Sequence, residues 1–359
     1  MGSFVVFLDP DFPLADVRLI AERLLRLECL VPGWIPPSVG LLDLSALTYA
    51  EDIDEISTVV LVDRNLASRM ARLATEGTPR RWDYPTEVAI NLMAFAQAMN
   101  LDIEPGLAFH ELASSVGNAS AQGELSWFRA ADRGAATKWI DIAMRRCHKI
   151  DLGPIAPLEP HDLVRPLKRW RRNYIVSLKM ARLTLEVGRQ PPAMFALLDW
   201  MIDDFIFAGP AAVYAARHFG PTVRAGKMMK QLRAEDRERA IAGARNAAWD
   251  ITYLSEFLRL VAQREHTNQQ YVFATADRAL RETASALFCG STATEDYPGQ
   301  AEILAQWWPE KFAQQIADKF FQCFEVAGSG RNRGADLSGD PIAEMIAEGE
   351  AWLREWQAP

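Results

Sequence analysis

Along most of the chain, apolar positions recur three or four residues apart, the spacing of helices with one buried face. A few short runs break that rhythm by being apolar throughout. Val59-Val60-Leu61-Val62 is one, and it ends on Asp63. A run without polar alternation predicts a strand covered on both faces. Residues 66–73 then return to helical spacing, so the first unit reads strand, acid, helix. Residues 270–277 repeat the pattern. The span Asn268 to Ala274 is a strand, Asp277 closes the apolar stretch, and residues 278–284 read as a helix. An α/β fold follows, with Asp63 and Asp277 at the carboxyl edge of a parallel sheet, where open α/β folds place ligands.

The remaining segments are mostly helical. Phe4 to Asp9 predicts a strand and Ala15 to Leu30 an amphipathic helix, ended by Pro32, Gly33, Pro36 and Pro37. Pro85 to Asn100 reads as a buried helix, and Leu101 to Pro105 as a short strand or turn. Glu111 and Asp250 each sit among apolar residues on a predicted helix. An acid so placed is costly unless it is paired, solvated or metal-bound. Ala301 to Val326 and Ile342 to Trp356 are helical, joined by a Gly/Arg/Asp loop from Gly328 to Gly339. The expected organisation is an N-terminal strand and helix region (1–58) and a core (59–116 with 241–290). A helical insertion (117–240) and a helical C-terminal extension (291–359) complete it.

Composition narrows the picture. The chain has 359 residues, 49% hydrophobic, enough for a core with additions or for two domains. No apolar window of membrane-spanning length occurs, and no export signal is evident. Cys29, Cys147, Cys289 and Cys323 lack paired spacing, which predicts reduced thiols in a cytoplasm rather than a disulfide framework or zinc site. The formal net charge of −8 argues against nucleic-acid binding by overall charge, so local distribution has to decide.

Four acids, Asp63, Glu111, Asp250 and Asp277, stand in a particular order. Strands precede the first and last, and Thr275 lies two residues before the last. This resembles the PIN-domain nucleases. At Arg64 the chain departs from the small hydroxyl residue usual in that family, while Asn65 matches the polar residue that often follows. The resemblance implies a PIN-like parallel sheet and a magnesium- or manganese-dependent nuclease, acting on RNA more often than DNA. Asp63, Asp250 and Asp277 would hold the metal, directly or through water, and Glu111 would be a ligand or orient the attacking water. Thr275 would hold a carboxylate or phosphate, and Arg64 and Asn65 would contact substrate. The competing class is a PIN-like module that binds nucleic acid or a protein and no longer cuts.

Several further features compete for a role. Lys168-Arg169-Trp170-Arg171-Arg172, with Tyr174 beyond, interleaves cations with rings, as phosphate contact and base stacking require. The alternative is a solvated or ion-paired helix face. A second basic stretch holds His218, Arg224, Lys227, Lys230 and Arg233. Asp199 and Asp203 share a helical face, and an ion pair with Arg217 or another insertion cation is preferred to an auxiliary metal or substrate wall. His110 points away from Glu111 and reads as structural, and Glu104 faces the site or caps a helix. Glu256, off the face of Asp250, is left out. Asp9-Pro10-Asp11 superficially resembles a phosphatase nucleophile motif, but a Pro-containing turn is the preferred reading. Trp307-Trp308 predicts docking or dimerisation through the C-terminal helices, since exposed Trp is unfavourable.

Overall fold

The structure, a computed structural model, describes residues 10–34, 40–155, 158–223, 228–288, 299–329 and 340–357. The expected strand at Phe4 to Asp9, the phosphatase-like Asp9, Arg224, Lys227, Cys289 and most of the Gly/Arg/Asp loop lie outside the described residues. The chain divides into two units, Met1–Arg165 with Arg259–Arg281, and Pro166–Leu258 with Glu282–Pro359. The division runs elsewhere than the composition suggested. The first part of the expected insertion belongs with the first unit, and residues 241–258 of the expected core belong with the second.

In the first unit, α1 (Leu14–Leu27) leads into β1 (Leu30–Pro32), then α2 (Leu44–Asp52) and β2 (Ser57–Val62). Next come α3 (Arg64–Glu76), α4 (Tyr84–Ala98), β3 (Asp102–Glu104) and α5 (Gly106–Val116). The helices α6 (Asn118–Asp132) and α7 (Ala136–Ala143) follow, and β4 (Gln269–Ala274) returns late in the chain. The strand order is β1-β4-β2-β3. Strand β2 runs parallel to β3 and β4, while β1 is antiparallel to β4. The sheet is therefore mixed, not wholly parallel as expected. The reversal is local. Glu28 caps α1 in the left-handed region at φ 48°, turning the chain back two residues before β1 begins. Pro32 then ends the strand, as suits an edge position.

Burial explains why β2 reads as it does. Val59 to Val62 are all buried, as are Val272, Phe273 and Ala274 of β4. Helix α4 is buried from Val88 through Ala96 and packs against α1, α3 and α7, which makes it the centre of this unit's core. Asp83 caps it, accepting from Thr86 N at 3.0 Å. Helix α3 divides by angle. At about 100° per residue, Leu66, Ala67, Met70, Ala71, Leu73 and Ala74 fill one arc, all buried. Arg64, Asn65, Ser68, Arg69 and Arg72 share the opposite arc of about 140°.

The second unit is helical: α8 (Lys168–Glu186), α9 (Pro191–Asp203), α10 (Gly209–Phe219), α13 (Gln300–Ala305), α14 (Glu310–Gly328) and α15 (Asp340–Glu355). To it also belong most of α11 (Arg237–Ala262) and the second half of α12 (Arg278–Ser285). Helix α15 lies on α8, and Gly349 allows the approach, because a Cβ there would stand 2.9 Å from Leu178 Cδ1. Asp199 is ion-paired, to Lys319 at 2.6 Å, but the cation comes from α14 in the C-terminal extension and not from the insertion, whose Arg217 pairs with Glu282. Trp307 and Trp308 are 3% and 1% exposed, and Trp308 Nε1 donates to Ala216 O at 2.8 Å. Their expected exposure is thus corrected. A short break after α13 folds both rings inward, and they offer no surface for dimerisation. No helix among the described residues is long and apolar enough to cross a membrane.

Candidate functional site

Strands β2 and β4 pair in parallel with Val62 beside Ala274, so the residues that leave them emerge side by side. Asp63 N donates to Ala274 O at 3.2 Å, and Thr275 N donates to Cys29 O at 3.0 Å. These bonds carry the ladder one residue past the strands. Asp63 is then the N-cap of α3, its Oδ1 accepting from Leu66 N at 2.9 Å. Asp277 plays the same part for α12, its Oδ1 accepting from Ala279 N at 2.7 Å and Leu280 N at 3.1 Å. Short polar side chains at this position satisfy N–H groups that have no partner within the helix.

Thr275 joins the two acids. Its hydroxyl accepts from Asp277 N at 2.9 Å and donates to Asp63 Oδ2 at 2.5 Å. Both Asp63 oxygens therefore accept hydrogen bonds, and the side chain is buried, 3% exposed. Burial pushes the Asp63 carboxyl up to about 6, and the charge of Asp277 adds to that. The bonds from Thr275 and Leu66 pull the other way. Asp277 itself is exposed.

At Asp277 lies a cleft of about 440 Å³, lined by Arg64, Asn65, Ser68, Arg69, Arg72, Pro85, Ala276 and Asp277, while Asp63 is buried and not part of the lining. The polar arc of α3 forms one wall. Arg64 grips Glu124 of α6 through two bonds, 2.7 and 3.3 Å, and Ser68 Oγ donates to the same carboxylate at 2.9 Å. Arg69 pairs with Asp83 at 2.6 Å and Arg72 with Glu76 at 3.1 Å. The wall thus carries three guanidinium groups, each tethered at one flank.

The structure therefore brings together Asp63, Thr275, Asp277, Arg64 and Asn65. Glu111 sits half-buried on α5 and is not part of the cleft's lining. Asp250 belongs to the second unit, on α11, where its carboxylate accepts from Tyr214 Oη at 3.0 Å. Glu104 accepts from Gly106 N at 2.6 Å and so caps the start of α5. His110 contacts Leu163 O through Nδ1 at 2.8 Å, a structural role as expected.

The chain matches no family model, no curated protein and no solved structure.

The basic run lies at the start of α8, in the second unit. Lys168 and Arg172 are exposed, while Arg169 is ion-paired to Glu256, the acid the sequence reading set aside. Trp170 stacks on Tyr174 with centroids 5.0 Å apart and packs on Trp249 at 5.5 Å. Tyr174 is 1% exposed, and its hydroxyl donates to Glu350 at 2.6 Å, so it has no face to offer a base. Two arginines of the cleft were missed, Arg69 and Arg72. A helical-angle plot finds them, because they share an arc with Arg64. A search for uninterrupted cation runs does not.

A divalent cation can be tested against this donor set. Among the described residues no group of three or more His, Cys, Asp or Glu gathers as a metal site. The first unit offers two neighbouring carboxylates, Asp63 and Asp277. Magnesium keeps several of its waters and is held by one or two carboxylates with substrate phosphate, so a pair meets its minimum. Asp63, harder to ionise chiefly through burial and further through the charge of Asp277, also fits a place that a cation would relieve.

Proposed function

We propose that the chain is a PIN-like, divalent-metal-dependent nuclease whose site is the strand-end pair Asp63 and Asp277 at the arginine-lined cleft. One observation carries the reading: two acids far apart in sequence leave adjacent parallel strands and are joined through a single threonine hydroxyl. The strand–acid–helix order and the helix bearing Glu111 support the family resemblance. Asp250 enters only through that resemblance.

Asp63 and Asp277 would hold magnesium or manganese, which when bound polarises a phosphate and supplies a deprotonated water. The chain's own residues do the rest. Thr275 fixes Asp63 by donating to Oδ2, so that oxygen stays an acceptor. Leu66 N fixes the other oxygen. Asp277, at the mouth of the cleft, is the carboxylate that substrate and solvent reach. Arg64, held by Glu124, stands beside it to meet phosphate charge.

A second reading has its own observation. Both Asp63 oxygens already serve as caps and acceptors, which suits a module that binds a strand at this edge without cutting it.

Incubation with single-stranded RNA and single-stranded DNA in manganese, with and without chelator, separates the two. The nuclease reading expects chelator-sensitive cleavage, and Asp277→Asn or Asp63→Asn should lower it more than about a hundredfold, beyond the loss typical of an outer-shell partner. Full activity in either variant counts against it. A wild-type protein that retains the strand and leaves it intact selects the binding module.

A further inference from the structure

The arginine wall has more reach than a site for one phosphate requires. Arg64 and Arg72 are eight residues apart on α3, about 12 Å along the axis, with Arg69 between them. The lining sets three guanidinium groups against one carboxylate, Asp277. With their ion-pair partners Glu124, Asp83 and Glu76, and with Asp277, the three cations stand among four acids, so the wall acts through the spare donors of its guanidinium groups and not through a net positive charge. Each guanidinium has five N–H donors, and the pairs with Glu124, Asp83 and Glu76 engage one or two of them. Those pairs also hold the side chains against the wall instead of letting them sweep through solvent. Asn65 and Ser68 add neutral polar groups on the same arc, with nothing apolar or aromatic to grip a base from that helix.

We infer that this face of α3 is a track for the sugar–phosphate backbone of a single strand. Arg69 and Arg72 take phosphates next to the one that Arg64 and Asp277 face. Recognition runs through phosphate, so it is indifferent to base sequence. The track builds on the nucleic-acid reading above and is tested apart from cleavage.

Binding of labelled oligouridylate and oligodeoxythymidylate is followed by fluorescence anisotropy in chelator, across roughly 50–200 mM salt. Each phosphate contact on a single strand contributes about 0.7 to the slope of log K against log salt. Arg72→Gln, at an exposed position, should lower the slope by about 0.7 and weaken binding about fivefold at about 0.1 M salt. Arg69→Gln should do the same. Because Arg69 also pairs with the cap of α4, Arg69→Lys is the second variant, and it should keep the wild-type slope. Unchanged slopes in both glutamine variants overturn the track, as does a wild-type protein that binds neither strand. Displacement of the strand by millimolar inorganic phosphate or nucleoside monophosphate with equal efficiency overturns it in favour of a small phosphorylated ligand. Lowered slopes without any manganese-dependent cleavage leave the track standing and remove the nuclease. Cleavage that depends on Asp277 with unchanged slopes does the reverse.

Discussion

Helices α3 and α8 both carry arginines in their first turns, and they put them to different uses. On α3 the cations are spread over one arc, opposite a wholly buried apolar arc, and the arc faces a cleft whose one lining carboxylate is Asp277. On α8 four cations crowd into Lys168 to Arg172, broken only by Trp170, so they point around the helix in several directions. Arg169 is spent on Glu256, and the aromatic rings between the cations turn inward against Trp249 and Glu350. Density of charge in sequence is therefore a poor guide to a binding face. Angular placement is the better one, because only cations on a common arc can act on the same ligand.

The largest effect that bears on this contrast is at Trp170. If the ring is part of the packing of α8, Trp170→Ala should destabilise the protein by about 3 kcal/mol, the low end for a buried aromatic since this ring is only half-buried. Strand binding per folded molecule should stay unchanged. Urea unfolding and anisotropy measured on the same sample check both halves. A variant with wild-type stability and lost binding would restore α8 as a stacking platform.

The next effect belongs to Asp63 and concerns pH. Its folded-state pKa, about 6, lies above the usual 3.8. The folded state therefore holds the proton more tightly than the unfolded chain does. The associated stability is fully present below about 3.8 and is lost as pH rises through about 6. About two units correspond to about 3 kcal/mol. In chelator, the stability of Asp63→Asn relative to wild type should therefore rise by up to about 3 kcal/mol between pH 4 and pH 7. Using the difference cancels every other titrating group. A flat difference across that window would show that Asp63 ionises as readily in the fold as in the unfolded chain.

How much of this was legible in the sequence follows the same physics. Strands β2 and β4 showed themselves because strands buried on both faces leave no polar alternation. Asp63 and Asp277 showed themselves because each acid closes such a run. Strand β1 did not, since three residues ending in Pro32 carry no period. Its antiparallel pairing depends on the left-handed turn at Glu28, a residue type that does not announce that conformation. The division into units was hidden in part because two of its three crossings fall inside helices, one in α11, continuous over 26 residues, and one in α12. The acid partners of the cleft arginines, Glu124 and Asp83, were invisible because pairing across 60 and 14 residues is a property of packing.

The smallest effect sharpens the contrast most. Glu124 holds Arg64 on the cleft, and Glu256 holds Arg169 on α8. Both pairs are partly exposed, so Glu124→Gln and Glu256→Gln should each cost no more than about 1 kcal/mol of stability. Their effects on the strand should differ. Glutamine at 124 removes a negative charge that neutralises Arg64 beside the phosphate path, so binding at low salt should tighten a few-fold, equivalent to about 1 kcal/mol or less. The gain should fade as salt rises, because the interaction is between partly exposed charges. Glutamine at 256 removes the same charge from a helix whose cations share no cleft, and binding should not move. Equal tightening by both variants would mean that the strand responds to net charge alone, and the distinction between the two helices would lose its physical content.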